Sequence, residues 1–141
     1  MVAATKFQAF VENVAEKEHN LGADTLKIML VNSPAPVATN SVKADLTEIG
    51  AGNGYTAGGT AITITASSQT SGTYSLVGND VVFTAAGGTI GPFRYAVMYN
   101  DTPTTPHADP LIQFWDYGSS VTLNDTETFT VDFGTNILTL T

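Results

Sequence analysis

Between Gly91 and Asp101 the residues Phe93, Tyr95, Val97 and Tyr99 recur with a period of two, and Arg94, Ala96 and Met98 fill the alternate positions. Successive side chains of an extended strand point to opposite faces, so the first set shares one face and the second lines the other. Gly91-Pro92 can start a strand but not continue one, because proline has no amide donor. At the far end Asn100-Asp101, with Pro103 and Pro106 beyond, supply turn chemistry. The second face is apolar apart from Arg94, so the strand is expected to be covered on both sides. The interior of a sandwich provides such cover.

The same alternation returns along the chain. Leu26, Ile28 and Leu30 share a face in the stretch Asp24 to Val31, and Ile62 and Ile64 alternate with threonines from Thr60 to Ala66. Further strands are expected over 73–77, 80–85, 111–117, 120–123, 128–133 and 137–140, separated by Gly72, Gly78-Asn79, Gly87-Gly88, Gly118, Asn124-Asp125 and Gly134. Short strands at intervals of roughly ten residues, with turn residues between them, indicate a sandwich or barrel. The expected fold is all-β: a jelly-roll-like, two-sheet antiparallel β-sandwich formed by residues 1–141 as a single domain. From Lys6 to Glu18 two templates compete. Phe7, Phe10, Val11 and Val14 fit a helical stripe, while Phe7, Ala9 and Val11 alternate, and extended structure is preferred because the acidic end at Glu16 and Glu18 opposes a helix dipole. The connection 32–59 carries Pro34, Pro36 and several glycines, and only Lys43 to Ile49 is regular enough for a short strand or helical turn. A connection of that length in a compact domain is functional or packed against something.

A chain of 141 residues buries roughly 70% of its unfolded surface, enough for a core without staples, and with no cysteine it has neither disulfides nor thiolate metal sites. Charged residues make up only 13%, and the filler is Thr, Ser, Asn and Gly, which suits half-wet sheet. The net charge is -8, with basic residues only at Lys6, Lys17, Lys27, Lys43 and Arg94. So scattered a set cannot neutralise a run of phosphates, which argues against nucleic acid and against an anionic membrane as partners. No apolar run reaches the length of a membrane span, and the opening Met-Val-Ala-Ala-Thr-Lys lacks the basic and apolar regions of a secretion signal.

Motifs that would carry catalysis are weak. Gly50-Ala-Gly52-Asn-Gly54 lacks the strand, helix and lysine that make a glycine run into a phosphate loop, so it reads as an ordinary glycine loop. His107, Asp109 and Asp101 could gather round a metal, but a solvated, proline-bounded loop is the preferred reading. His19 and His107 lie in separate polar turns with no Gly-x-Ser-x-Gly elbow. The acid pairs Asp125/Glu127 and Asp109/Asp116 read as turn acceptors and strand ends before they read as a glycosidase pair. No enzyme activity, cofactor or metal is expected. Arg94, the only arginine, needs a carboxylate or carbonyl partner if buried. Asp116 is the expected one, and an anchor to a partner chain is the alternative. In Phe114-Trp115-Asp116-Tyr117, Trp115 falls opposite Phe114 and Asp116, so one aromatic is free to face outwards; core filling is preferred over a sugar-stacking platform.

The succession Leu21-Gly-Ala-Asp24-Thr-Leu-Lys27-Ile-Met-Leu30, Ala44-Asp45-Leu46-Thr-Glu48-Ile49, Gly52-Asn-Gly54-Tyr55-Thr56-Ala-Gly58-Gly59, Phe93 to Asp101, Pro110-Leu111-Ile112 and Phe129-Thr130-Val131-Asp132-Phe133 resembles small virion proteins of tailed bacteriophages. The resemblance spans nearly the whole chain. It implies a head decoration, or cement, protein: a jelly roll on the outer surface of the capsid that clamps neighbouring major capsid protein subunits and forms a small symmetric oligomer, a dimer or trimer of itself. Similar sequences are also labelled tail or fibre components, so a tail-tip sandwich that binds a receptor or carbohydrate through Trp115, Tyr117, Tyr95 or Tyr99 is the alternative. The candidate contact arms are the N-terminal segment, with Phe7 and Phe10, and the connection 32–59, with Tyr55. Arg94, Trp115 and Tyr117 complete the expected contact residues.

Overall fold

The computed structural model describes residues 3–141; the first two residues of the opening stretch read for a secretion signal lie outside it. Among the described residues ten strands form, in order β1 (Thr5–Lys6), β2 (Leu26–Val31), β3 (Thr60–Ala61), β4 (Ile64–Thr70), β5 (Thr73–Gly78), β6 (Val81–Thr84), β7 (Ile90–Asn100), β8 (Leu111–Leu123), β9 (Thr128–Val131) and β10 (Leu138–Leu140). They make an all-β antiparallel sandwich. One layer is a five-stranded sheet in the order β1-β8-β7-β2-β3. The other is split between a three-stranded sheet, β10-β5-β4, and the pair β6-β9.

β7 is the central strand of the large sheet, paired with β2 from Leu26↔Asn100 to Val31↔Tyr95 and with β8 on its other side. Its two faces lead to two separate cores. Ala96 and Met98, together with Leu26, Ile28 and Leu30 of β2, pack towards Leu76 and Phe83 of the smaller sheets and Phe133 just beyond β9. Tyr95, Val97 and Tyr99, with Met29 and Val31, join Phe7, Leu111 and Phe114 on the opposite face. Large apolar side chains gain roughly 1.5–3 kcal/mol each on full burial, so the second face needs a cover. The loop segments supply one, with Leu46 packed against this core.

The connection 32–59 is stitched to the sheet. Gln8 N donates to the Ala38 carbonyl (2.9 Å), Leu111 N to Ser41 (3.0 Å), Lys43 N to Asp109 (2.9 Å) and Ile49 N to Leu30 (3.0 Å). The regular piece expected between Lys43 and Ile49 is a single 3₁₀ turn, Lys43–Asp45. Asp45 accepts the Ser41 and Val42 amides, and these bonds hold its carboxyl below its ordinary pKa. Tyr55 reaches under the sheet edge, where its hydroxyl donates to Glu48 Oε1 (2.6 Å) and accepts the Leu30 amide (3.0 Å). Burial, reinforced by Glu48, pushes its phenol far above its ordinary pKa. Tyr99 donates to the Gly58 carbonyl (2.6 Å). The next residue, Gly59, has φ +79°, and a Cβ there would overlap the Ile28 carbonyl.

Three expectations are corrected. Residues 6–18 are not extended beyond Lys6: after β1 pairs with β8, the helix α1 (Ala9–Ala15) forms. Burial of Phe10 and Asn13 on one face decides between the two patterns. The unfavourable acidic end is handled by Lys17 at φ +67°, with Lys17 N bonded to the Val14 carbonyl and Glu18 N to Asn13, the closed turn that caps many helices. Next, Phe93 does not share a face with Tyr95 but joins the core that holds Ala96 and Met98. Between Phe93↔Val121 and Tyr95↔Asp116 only Arg94 lies opposite Tyr117 to Ser120, and this bulge breaks the alternation. It also makes the two strands expected over 111–117 and 120–123 into one. Lastly, Thr60 to Ala66 is not continuous, because the chain leaves the large sheet after Ala61 and enters the second layer at Ile64.

His19 sits buried under the Phe10 ring (5.2 Å between centroids), and Asn100 Nδ2 bridges His19 Nδ1 (3.1 Å) and Asp24 Oδ2 (2.6 Å). The Nε2 atom has no partner among the described residues. Burial lowers the His19 pKa against the opposing pull of Glu18 and Asp24. The folded protein thus holds His19 neutral where the unfolded chain, near 6.5, takes up a proton. That contribution to stability is complete above pH 6.5, declines as the pH falls below it, and is gone once the lower folded value is passed. Urea denaturation at stepwise pH checks this: stability falls below 6.5, and His19→Gln flattens the slope. Denaturation also tests Gly59, where alanine is expected to cost more than ~3 kcal/mol, while alanine at Gly50, which has open space around it, changes little.

Candidate functional site

Arg94, Trp115 and Tyr117, three of the six expected contact residues, meet at one cleft of about 250 Å³ between the layers. Trp115 and Ala96 come from the large sheet, and Phe129, Thr130, Val131 and Asp132 from β9 and its end. Arg94 and Tyr117 stand at the bulge, which explains the composition of the rim. A bulge re-aims side chains, and here it frees Tyr117 from the ladder and leaves it 53% exposed. Trp115 is 7% exposed and packs on Phe133 (5.6 Å). Phe129 is held edge-on by Phe93 (4.9 Å) and by Tyr117 (5.4 Å).

Arg94 finds the expected partner. Its Nε donates to Asp116 Oδ1 (2.8 Å) and its Nη2 to Oδ2 (3.1 Å), a two-point pair with both side chains about two-fifths exposed at 39% and 40%. The Arg94 bonds, helped by the Gly118 amide, hold the Asp116 carboxyl below its ordinary pKa. The guanidinium also lies 5.5 Å from the centre of the Tyr95 ring. Arg94 is therefore positioned and not fully buried, so it can meet a partner on its open side without abandoning Asp116. Such exposed pairs contribute little to stability.

The other three expected contacts lie elsewhere. Phe7 and Phe10 are core residues, and Tyr55 is buried with its hydroxyl engaged. They have no surface to offer a partner, a correction whose cause is the apolar face each of them covers. The apolar surface that α1 and the connection do present is Val11 and Val37. Neither Phe114 nor Trp115 faces outwards, since each fills a different core. Sequence reading missed Phe129, Val131 and Asp132. Alternation in 128–133 puts the first two on one face, but the gap they border is shared with Trp115 and Tyr117 of β8, a neighbour that no local pattern records.

The polar clusters are structural in their contacts. His107 Nδ1 lies 3.1 Å from Glu18 Oε2, tying the β7–β8 loop to the turn after α1. Lys27 pairs with Asp101 (3.0 Å). Asp109, raised above its ordinary pKa by burial and then by Asp101, stands near the same lysine. Among the described residues no group of three or more His, Asp or Glu side chains is placed to hold a metal. Asp125 accepts the Gly87 amide (2.9 Å) and Glu127 the Asn124 amide (2.6 Å). Asn53 of the glycine loop spends its amide group on the Thr89 carbonyl (3.0 Å). A second depression of about 270 Å³ lies where Thr47 to Gly50 approach Gly91-Pro92. It is shallow, and Glu48 is already bonded to Tyr55 and Gly58.

The fold and cleft define an all-β sandwich with a small aromatic-floored notch at a strand bulge. No protein-family model matches the chain, and neither curated proteins nor solved structures yield a significant match. The two cleft aromatics are separable by experiment. Trp115→Ala is expected to cost about 3–5 kcal/mol in denaturant unfolding, whereas Tyr117→Ser leaves the midpoint nearly unchanged.

Proposed function

We propose that the protein is a structural virion protein, a capsid decoration or cement protein that binds the outside of a tailed-phage head and stabilises contacts between major capsid protein subunits. The resemblance in the order of motifs supports the virion setting, and the all-β sandwich agrees with the fold that the resemblance implies. The observation that carries the choice of partner is the isolation of Tyr117. A sugar platform needs accessible, coplanar aromatics, yet Trp115, Tyr95 and Tyr99 are buried, and Tyr117 meets Phe129 at 69°. A notch of about 250 Å³ is also smaller than the roughly 300–1,000 Å³ that encloses small-molecule ligands. It suits the insertion of one apolar side chain from a protein partner, ringed by Arg94, Tyr117 and Asp132.

The role asked of the chain is then mechanical. A rigid scaffold presents an aromatic-arginine notch of the kind enriched at interface hot spots. Purified protein is expected to bind emptied, expanded heads saturably and to raise their heat resistance. Tyr117→Ser should weaken that binding at least about tenfold, or ~1.4 kcal/mol. Binding to tails, envelopes or sugars, with none to heads, would sink the proposal and favour a tail-tip receptor role.

A further inference from the structure

We infer that the partner docks on the free edge of β9 as an added strand: an extended segment with an apolar residue at its centre and lysine or arginine at both ends. Resting on the reading of the cleft as a protein-binding site, this docking mode names the form and charge of what enters it. Phe129, Thr130 and Val131 are consecutive, with Asp132 next, and all four line the cleft. Neighbouring residues of a strand point to opposite faces, so one cleft can touch them all only where it runs along the edge of the strand. That edge is open. β9 pairs with β6 on one side, and among the described residues no strand lies on the other.

The ladder fixes which backbone groups face the opening. Ala85 N donates to the Glu127 carbonyl (2.9 Å), and the register continues through Phe83↔Phe129 to Val81↔Val131. Bonded pairs alternate with unbonded ones in an antiparallel ladder, so Phe129 and Val131 spend their amides and carbonyls on β6 while Thr128 and Thr130 turn theirs away. No other backbone group among the described residues bonds to either threonine, and both are exposed. Lysine or proline commonly blunts such an edge, and β9 has neither. A strand laid along it shares the cleft with Trp115 and Ala96, where one inward side chain reaches the aromatic floor.

Charge decides the occupant. Asp80 and Asp132 stand at one end of the β6-β9 pair, and Asp125 and Glu127 lie in the turn at the other. All four are exposed, and none is in an ion pair among the described residues. Each accepts one backbone amide, at Phe133, Gly134, Gly87 and Asn124 respectively, which fixes its place without neutralising it. Arg94 is the only lysine or arginine after Lys43, and it is spent on Asp116. A second copy of the chain, with its net charge of -8, would bring further carboxylates to these ends and be repelled. A segment with basic ends is drawn in. So short an edge offers few ladder bonds, and the central side chain and the end charges supply the rest of the affinity.

Titration of the isotope-labelled full chain with a blocked peptide, a central leucine between threonines with two lysines at each end, is the first test, read by nuclear magnetic resonance of the amides. Saturable shifts centred on Thr128 and Thr130 are expected, weakening as salt is added. The same peptide with glutamates in place of the lysines should leave the spectrum unchanged. Thr130→Pro removes the outward amide without touching the β6 ladder. It should weaken the binding of both the peptide and emptied heads at least about tenfold, with the circular dichroism spectrum unchanged. Asp132→Asn combined with Glu127→Gln should flatten the salt dependence. No shift at millimolar peptide, shifts away from β9, or equal binding of the glutamate peptide overturns the inference. So do heads that bind Thr130→Pro as tightly as the wild type while Tyr117→Ser releases them, an outcome that leaves the capsid reading standing. If heads bind no form of the chain, the capsid reading falls and the peptide titration decides the edge by itself.

Discussion

A sheet with apolar side chains on both faces must be covered twice, and the rest of this structure follows from that requirement. β7 and β2 alternate large apolar residues to either side. The sandwich partner, split into β10-β5-β4 and β6-β9, covers one face. Strands are exhausted there, so the other face falls to Phe7 and the segment around Leu46. A loop used as a cover must have its own polar groups satisfied, because buried amides without partners are expensive. The bonds from Lys43, Leu111 and Ile49 meet that need, and the Tyr55 hydroxyl ties Glu48 to the Leu30 amide at the sheet edge. The length of the 32–59 connection is thus explained by packing before any partner is considered.

This division also shapes what is left for binding. With Phe7, Phe10 and Tyr55 committed to covering the sheet, large apolar groups are scarce at the surface. Several of those that remain accessible gather at one gap between the two layers. Phe129 to Asp132 border a gap beside Trp115 and Tyr117, Trp115 forms its floor, and Arg94 is held at the rim by its two-point pair with Asp116. The rim is preorganised, since the guanidinium has a fixed direction before a partner arrives, which lowers the entropy lost on binding.

Much of the fold was legible because the period-two pattern is local and strong. β2, β5 and β7 fall close to their expected spans, and the pairing of Arg94 with Asp116 followed from the cost of leaving a guanidinium alone. Residues 6–18 were ambiguous for a physical reason: the same apolar residues satisfy both periods, and only the burial of Phe10 and Asn13 chose the helix. Phe93 was assigned to the wrong face because alternation assumes an unbroken ladder, and the break lies in what β8 brings opposite it. The cleft was half legible. Arg94, Trp115 and Tyr117 stood out by type, while Phe129, Val131 and Asp132 enter through the packing of one layer on another, to which single-strand patterns are blind.

The bulge opposite Arg94 separates the length of β8 from its register. On one side Gln113 to Asp116 are counted residue by residue against β7, and on the other Val121 and Leu123 are counted again. The stretch from Tyr117 to Ser120 is not counted at all, and Gly118 has open space around it. A residue gained or lost there leaves every apolar side chain on its own face. Across descendants of such a chain the rim of the cleft can therefore change in size and chemistry while the packed layers behind it stay fixed, and new partners become reachable without refolding the scaffold.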